Sequence, residues 1–197
     1  MAEIRLASPA DATACREIYA PYVAETTITF ESSTPTEREF RERVATTLET
    51  YPWLVCEHEG RVVGYAYASR HRKRDAYQWA VEASVYVDDG FHRHGIARGL
   101  YESLFAVLDL QGFYDVYAGT TLPNDPSVSL HRSMGFESVG VYPNAGYKLG
   151  DWRDVEWWHR QLRPHDDDPA PPTPLGDLET TDALAAAVST GEAELSL

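Results

Sequence analysis

The chain is poor in lysine: Lys73 and Lys148 are the only two lysines among 197 residues, and arginine supplies the other strongly basic side chains. Lysine and arginine together number 17 against 31 aspartates and glutamates, which gives a formal net charge of -14 at pH 7. A surface of this sign repels the phosphate backbone of DNA or RNA. We therefore expect no nucleic-acid partner.

Cysteines and long apolar runs are also scarce. Cys15 and Cys56 are the only cysteines, too few for a disulfide framework, which favours a reducing, cytoplasmic location. No apolar run approaches the roughly 18 residues of a membrane span, so no membrane association is expected. The start "MAEIRLASPADA" has neither a basic stretch nor an apolar core, and it lacks the pattern of a secretory leader.

Acidic residues and proline are abundant at the end of the chain. From Pro164 onward there are eight acidic residues and no lysine or arginine. The opening "PHDDDPAPPTP" cannot bury enough apolar surface to fold. We therefore expect one folded domain over residues 1–163 and an acidic, disordered tail over 164–197, in which only "TDALAAAVS" has helical character.

Within residues 1–163 the apolar periodicity alternates between the periods of strands and helices. The predicted strands are "EIRLA", the two halves of "WLVCEHEGRVVGYAYASR" around a turn at Glu59–Gly60, residues 78–87, "YDVYAGT", and two final strands near 136–147 and 153–162. The predicted helices are "SPADATACREIYAPYV" with its cap at Ser8, "TPTEREFRERVATTLE", residues 95–110, and "DPSVSLHRSM". The pattern predicts a mixed α/β domain in which a long strand leads through a loop into a helix.

The loop "FHRHGIARGL", residues 91–100, joins that long strand to its helix. Amides at a helix N-terminus form an anion site, and Gly95 would let the backbone approach a phosphate closely. The same small residues are compatible with ordinary turn or packing chemistry. His92 and His94, with Asp88 and Asp89 nearby, are a third possibility as metal ligands, but their spacing is not typical of a metal site, and we expect no metal.

Several segments favour the phosphate interpretation together. "VEASVYV", "HRHGIA" and the downstream "N…LHRSMGF" resemble the acyl-CoA-binding core of the GCN5-related N-acetyltransferase (GNAT) superfamily. "YPWLVCEHEG", "AYQWAVEASVYV", "LPNDPSVSLHRSMGF" and "AGYKLGDWRDVEWW" resemble its phosphinothricin N-acetyltransferase branch, in the same order, from Ile4 to Leu162. The resemblance implies the acyl-CoA N-acyltransferase fold, a mixed sheet whose central strands splay apart, with acetyl-CoA as co-substrate.

The resemblance also implies roles for individual residues. The cofactor-binding set is Val85, Tyr86 and Val87 along the open strand edge, His92, Arg93, His94, Gly95, Ile96 and Ala97 around the pyrophosphate, and Asn124 beside the cofactor arm. The family loop usually begins with glutamine or arginine, and this chain has His92 there. Glu82 matches the family's proposed general base, and His131 stands where many relatives have a tyrosine acid. The alternatives are a solvated strand carboxylate for Glu82 and a polar cap for His131.

An amino-acid-like acceptor with a tetrahedral polar tip, such as phosphinothricin or methionine sulfoximine, requires cationic partners. The segment "RHRKRDAY" supplies Arg72, Arg74 and Tyr77, and Phe30 is a candidate aromatic wall; the alternative is a basic surface loop. The resemblance implies N-acetylation of the α-amino group of such a small molecule, and a homodimer, since members of the family commonly form dimers. Two alternatives remain: the same chemistry on another amino acid, a polyamine or a protein N-terminus, and a non-catalytic acyl-CoA sensor.

Overall fold

The fold is built on a seven-stranded sheet in the strand order β1-β2-β3-β4-β5-β7-β6. The computed structural model describes residues 2–178 and 181–197. The strands are β1 Ala2–Leu6, β2 Trp53–His58, β3 Arg61–Arg70, β4 Ala80–Val87, β5 Asp115–Thr121, β6 Glu137–Lys148 and β7 Asp151–Gln161. The helices are α1 Ala12–Glu25, α2 Glu37–Leu48, α3 Ile96–Gln111, α4 Asp125–Ser133 and α5 Asp182–Ser189. This arrangement confirms the predicted mixed α/β sheet.

Local signals in the sequence account for the element boundaries. Ser8 caps a 3₁₀ turn ahead of α1, and Thr36 caps α2 in a capping box with Glu39. The β2–β3 hairpin turns at Glu59 and Gly60, whose φ angles of 51° and 76° are both left-handed, as a tight hairpin turn requires. The predicted elements of residues 1–163 are therefore present, with ends shifted by at most four residues.

The two faces of the sheet carry separate apolar cores. Helices α3 and α4 cover one face, where Val81 and Ala83 of β4 are buried with Leu100 and Leu104 of α3. Helices α1 and α2 cover part of the other face, where Tyr86 of β4 packs against a cluster of side chains from α1, α2, β2 and β3. Because successive side chains alternate along a strand, Glu82 lies on the α1/α2 face.

The sheet opens between its two central parallel strands. β4 pairs with β5 only from Ala80 to Glu82, opposite Asp115 to Tyr117, whereas its pairing with β3 continues to Val87. Beyond Glu82, the β5-facing backbone edge of β4 is therefore free of strand partners. The structure thus has the splayed central strands that the sequence predicted. No helix in the described part of the chain has the length and apolarity needed to span a bilayer.

Residues 164–178 and 181–197, which we call the C-terminal segment, differ from the expected disordered tail. The segment contains α5 and a 3₁₀ turn over Thr190–Glu194, and Leu175 and Leu184 are buried against Val107 of α3. Hydrogen bonds fix it further: Gln111 donates to Thr173 O at 2.8 Å, and Gly191 N donates to the Ser103 hydroxyl at 3.0 Å. Glu179 and Thr180, which also fell in the predicted tail, lie outside the described residues. The segment is folded rather than disordered because a few of its leucines pack on α3. The average composition of the segment does not reveal this contact.

Candidate active site

Glu82 lies where β4 and β5 separate. Its side chain is 30% exposed and sits on the α1/α2 face of the sheet, beyond the area that the helices cover. One carboxylate oxygen, Oε1, accepts hydrogen bonds from His71 Nδ1 at 3.0 Å and Arg72 Nη1 at 3.1 Å. Both donors use the same oxygen, and the other oxygen, Oε2, has no hydrogen bond with any described residue. A partly exposed carboxylate with one free oxygen is suited to accept a proton.

His71 was not among the sequence candidates. It follows the last residue of β3 and is only 10% exposed in its side chain. Its ring stacks on Tyr117 of β5, with centroids 4.3 Å apart and planes 12° apart. Burial is the main cause that lowers the pKa of His71, and the charge of Arg72 lowers it further, while Glu82 raises it. The signal that could have identified His71 is its place in the polar segment that crosses from β3 to β4.

The structure brings together part of the predicted acceptor-binding set. Arg72 contacts Glu82 and lies over the ring of Trp157, 5.7 Å from its centroid. Tyr77 stands edge-on to His71, with ring centroids 6.0 Å apart. Tyr77 ends the 3₁₀ turn Asp75–Tyr77, and Arg74 is the N-cap residue of this turn and has an exposed side chain. Arg72 is therefore engaged with the carboxylate rather than free for a ligand.

Phe30 lies apart from those residues, in the loop between α1 and α2. Its ring packs against Gly146 of β6, where an added Cβ would come within 2.4 Å of Phe30 Cε2. The neighbouring Thr29 carbonyl accepts a hydrogen bond from Lys148 Nζ at 2.8 Å. Phe30 thus connects the α1–α2 loop to the β6–β7 hairpin. This contact lies at one border of the α1/α2 face, which we call the open face because the two helices cover only part of it.

A groove of about 630 Å³ extends along the α1/α2 face next to Glu82. Ser69, the cross-strand partner of Glu82, lines it together with Tyr67, Trp53 and Arg43. Trp53 and Tyr67 stack at 4.4 Å, and Arg43 pairs with Glu31. Aromatic walls, one arginine and the carboxylates of Glu39 and Glu42 line this concave surface, which is suited to a small polar ligand. These groove residues were also missed from the sequence, since each reads as an ordinary core or surface position.

The free edge of β4 ends at a carbonyl that is already engaged. Val87 O accepts hydrogen bonds from the Tyr22 hydroxyl at 2.6 Å and from His92 Nε2 at 3.2 Å. Val85 and Tyr86 precede it, beyond the last residue paired with β5. The backbone N–H and C=O of Tyr86 face β3, because Asp88 N donates to Val63 O beside the Val87–Gly64 pair and the direction alternates along the strand. An extended ligand arm added along this edge would therefore meet the backbone of Val85.

The loop after β4 presents unpaired backbone amides at the start of α3. Gly95 is the N-cap residue with φ 77°, and Arg93 also has a left-handed φ of 68°. Gly99 N makes the first helical bond, to Gly95 O. Among the described residues, the amides of Ile96 and Ala97 donate no hydrogen bond within the chain. Orphan amides at a helix N-terminus favour an anion such as a pyrophosphate.

The C-terminal segment lies directly against this loop. His94 exchanges hydrogen bonds with Ser196, from Ser196 N to His94 O and between His94 Nδ1 and Ser196 O, each at 3.0 Å. Arg98 pairs with Glu194 at 2.9 Å. A Cβ on Gly95 would lie 1.8 Å from Glu194 O. Position 95 therefore requires glycine for two reasons: its left-handed φ and the close packing of the C-terminal segment. The sequence did not reveal the second reason.

The two loop histidines engage different partners. His92 turns inward to Val87 O and the Tyr22 hydroxyl, and His94 turns to Ser196. Across residues 2–178 and 181–197, no group of three or more His, Cys, Asp or Glu side chains is placed to hold a metal ion.

Asn124 and His131 belong to α4, on the opposite face from Glu82. The Asn124 side-chain oxygen caps α4 by accepting from Ser127 N at 3.2 Å, so only its amide group is left for a ligand. His131 is 3% exposed, with Nδ1 at 2.8 Å from Ser127 O and Nε2 at 3.4 Å from the Tyr101 hydroxyl. Burial lowers the pKa of His131, so the ring is neutral at neutral pH. This environment favours the packed, structural alternative for His131.

Comparisons with known proteins agree with this geometry. A model of the acetyltransferase (GNAT) domain matches residues 4–157. The chain is 41% identical over 173 residues to the phosphinothricin N-acetyltransferase of Streptomyces viridochromogenes, covering 88% of this chain and 92% of the relative. It is 34% identical to the L-methionine sulfoximine/L-methionine sulfone acetyltransferase of Salmonella typhimurium, covering 82% and 95%. A solved GNAT superfamily phosphinothricin acetyltransferase from Sinorhizobium meliloti, in complex with AcCoA, has a TM-score of 0.82 at 33% identity, covering 88% of this chain and 98% of that chain.

Proposed function

Because the chain belongs to the GNAT acetyltransferase family, we propose that it acetylates the α-amino group of a small amino-acid-like molecule of the phosphinothricin or methionine sulfoximine type. Family membership confirms the predicted fold and an N-acetyltransferase activity that uses acetyl-CoA. The sensor alternative is therefore set aside. The observation that carries the proposal is the opening of the sheet after Glu82, which places a carboxylate beside a free strand edge.

The residues present fit acetyl-CoA as the acetyl donor. The extended arm would bind along the free edge of β4 at the backbone of Val85, and the orphan amides of Ile96 and Ala97 would receive the pyrophosphate. The left-handed Gly95 turns the loop so that these amides start the helix. The Asn124 side-chain amide supports the arm from α4. Acetyl-CoA supplies an activated acetyl thioester, so the protein has only to hold the two substrates together and move protons.

Glu82 accepts the proton from the acceptor amine, directly or through one water, with Oε2 as the receiving atom. Its position at the end of the β4–β5 pairing puts it beside the space that the thioester would occupy. The transfer is direct, with both substrates bound at once. His131 is the sequence candidate for returning a proton to the thiolate. A direct role requires a proton on Nε2, whereas the neutral ring carries its proton on Nδ1, which donates to Ser127 O, and Nε2 faces the Tyr101 hydroxyl at 3.4 Å.

The acceptor binds on the α1/α2 face, with its amine at Glu82 and its acidic groups at arginines. Arg74 is exposed, three residues before Tyr77, and would bind a carboxylate or phosphinyl group of the acceptor. Arg72 serves the same ligand only by exchanging its contact with Glu82. Tyr77 and Phe30 border the site on two sides.

The proposal is tested by following thiol release from acetyl-CoA with the purified protein and a panel of amines. The panel includes phosphinothricin, methionine sulfoximine, methionine sulfone, the common amino acids, polyamines and a peptide with a free N-terminus. We expect the highest kcat/KM for the sulfoximine and phosphinothricin type. Turnover of polyamines or peptides in preference to every amino-acid-like amine would overturn the substrate class and leave the acetyltransferase activity intact.

The proposal includes a homodimer formed through the outer sheet edge. Six large side chains of the β6–β7 hairpin, which we call the hairpin patch, are 46–62% exposed: Val139, Val141, Tyr142, Tyr147, Leu149 and Trp152. Exposed apolar surface of this kind is typical of interaction sites. Because Phe30 packs on the same hairpin, the second copy would lie near the acceptor site. Light scattering should give twice the monomer mass, and Trp152→Ser combined with Tyr147→Ser should give the monomer.

We also propose a cytoplasmic location. Cys15 and Cys56 are both buried, unpaired thiols, as is usual for a protein in a reducing compartment. Recovery of the protein in the cytoplasmic fraction of its host cell would support this location, and recovery outside the cytoplasm would contradict it.

A further inference from the structure

We propose that His71 is a positioning residue for the acetyl transfer, which holds Glu82 Oε1 through its Nδ1–H so that Oε2 faces the acceptor amine. This inference deepens the proposed function and rests on Glu82 being the proton acceptor. It assigns a role in the reaction to a residue that the sequence did not single out.

The first observation is that the His71 ring is fixed, although His71 belongs to the connecting segment between β3 and β4 and not to a strand. It stacks on Tyr117 at 4.3 Å, and the rings of Tyr77 and Trp157 meet it edge-on at 6.0 Å and 6.4 Å. With a side chain only 10% exposed, it has little freedom to turn. A ring held in this way offers its nitrogen in one direction.

The second observation is the shared acceptor oxygen. His71 Nδ1 and Arg72 Nη1 both reach Glu82 Oε1, at 3.0 Å and 3.1 Å. A carboxylate has two acceptor oxygens, and donors gathered on one of them set the rotation of the whole group. Oε2 is then directed away from both donors and remains able to accept a proton.

The third observation concerns charge. Burial lowers the pKa of His71, so the ring is neutral at neutral pH, and its partner is an acceptor-only carboxylate. The neutral ring must then carry its proton on Nδ1. A neutral donor orients the carboxylate without a second full positive charge beside Arg72. The titratable or charged side chains around the ring are Glu82, Arg72, Tyr77 and Tyr117.

A purely structural role makes different predictions. If His71 only filled the space over Tyr117, then any flat ring would serve and the loss of the nitrogen would not matter. His71→Phe keeps a stacking ring and removes the donor, whereas His71→Asn keeps a donor close to the Nδ1 position and removes the ring. The two variants therefore separate packing from hydrogen bonding.

We expect His71→Phe to lower kcat roughly 10- to 100-fold, the scale of a lost hydrogen bond to a charged group. The KM for acetyl-CoA should stay the same, because the edge of β4 and the loop before α3 are untouched. His71→Asn should lose no more than about threefold in kcat. Wild-type kcat in His71→Phe, with the loss confined to His71→Asn, would overturn the proposal.

His159→Phe is the matched control. His159 also packs on Tyr117, with centroids 5.0 Å apart, but its Nε2 bonds Asp115 at 2.7 Å and does not contact Glu82. We expect its kcat to match that of the wild type within about twofold, because Glu82 keeps both of its donors. A loss equal to that of His71→Phe would assign the effect to packing around Tyr117 and overturn the proposal.

Two further measurements separate this inference from the proposed function. In a Glu82→Gln background, His71→Phe should cause little additional loss of kcat, and an undiminished loss would show that His71 acts without Glu82. Nitrogen NMR of the His71 ring needs no substrate: we expect the neutral tautomer with its proton on Nδ1, with this preference weakened in Glu82→Gln. A proton on Nε2 in the wild type overturns the positioning role whatever amine is acetylated. A wild type that acetylates no amine overturns the proposed function, and the role of His71 in the reaction with it, even if the Nδ1 tautomer is present.

Discussion

The two faces of the sheet use histidine in contrasting ways. On the open face, His71 contacts the carboxylate of Glu82, next to the guanidinium of Arg72. On the packed face, His131 contacts the backbone carbonyl of Ser127 and stacks on Trp158, with ring planes 9° apart. Burial lowers the pKa of both rings, so both are neutral at neutral pH.

The difference lies in what each ring holds in place. A bond to a backbone carbonyl one turn back in the same helix holds the His131 ring against α4 and leaves it little to exchange with a ligand. A bond to a partly exposed carboxylate sets the direction of a group that can react. A lowered histidine pKa therefore does not by itself mark a reacting group, and the identity of the partner decides between structure and catalysis.

The largest effect is expected for the acceptor on the open face. Glu82→Gln keeps the shape of the side chain and removes the proton acceptor, so kcat should fall by roughly 10²–10⁴ while acetyl-CoA affinity persists. High pH should partly rescue the rate, because the amine is then already neutral. Steady-state kinetics from pH 6 to 9 measure this, with Glu137→Gln on exposed β6 as the control. Wild-type kcat across this range would remove Glu82 from the chemistry.

The next effect tests the packed face through the C-terminal segment. Removal of residues 164–197 exposes the α3 surface under Leu175 and Leu184, each contributing about 1.5–3 kcal/mol by burial. We expect Tm to drop by roughly 10 °C, since each kcal/mol corresponds to about 2–4 °C at this size. At temperatures where the shortened chain is folded, kcat should stay within about threefold because Glu82 keeps its contacts. The KM for acetyl-CoA should change, because His94, Gly95 and Arg98 lose their contacts with residues 194–196.

Point variants refine this second test. Leu184→Ala should reproduce part of the loss of Tm, whereas Leu110→Ala, at a 40% exposed position on α3, should change it little. An unchanged Tm after truncation would return the segment to the status of a disordered tail.

A smaller effect is expected for acceptor binding. Arg74→Ala removes an exposed cation of the proposed acceptor site and should raise the KM for the amine about tenfold with little change in kcat, since it removes binding common to ground and transition states. Arg38→Ala, an equally cationic exposed position on α2, is the control. Equal KM values for the two variants would remove Arg74 from the acceptor site.

The smallest effect concerns the pH dependence of stability on the packed face. His131 has a lowered pKa in the folded protein, so the unfolded chain takes up its proton first as the pH falls below about 6.5. The free energy of unfolding should therefore fall in this range, by at most about 1.4 kcal/mol per pH unit from this group. His131→Asn should flatten the dependence between pH 7 and 5 in urea unfolding. An equal slope in both proteins would contradict the assignment.

Much of the fold was predictable because its signals are local. Ser8 and Thr36 cap helices through neighbours within three residues, and Glu59–Gly60 specify a turn by their own backbone preferences. The candidate Glu82 was found because a family motif surrounds it. His71 was missed because its partner lies eleven positions away on another strand, and Glu194 was missed because it meets Gly95 from the far end of the chain.

The sequence by itself determined the order of strands and helices, the loop that begins α3 and the family to which the chain belongs, since these depend on patterns a few residues long. The tertiary structure alone decided that His71 faces Glu82, that His131 is enclosed by Trp158 and Tyr101, and that the C-terminal segment lies on α3. These are contacts between distant segments. They form because burial of apolar area brings whole elements together. The residue pattern of one element does not determine which other element it will contact.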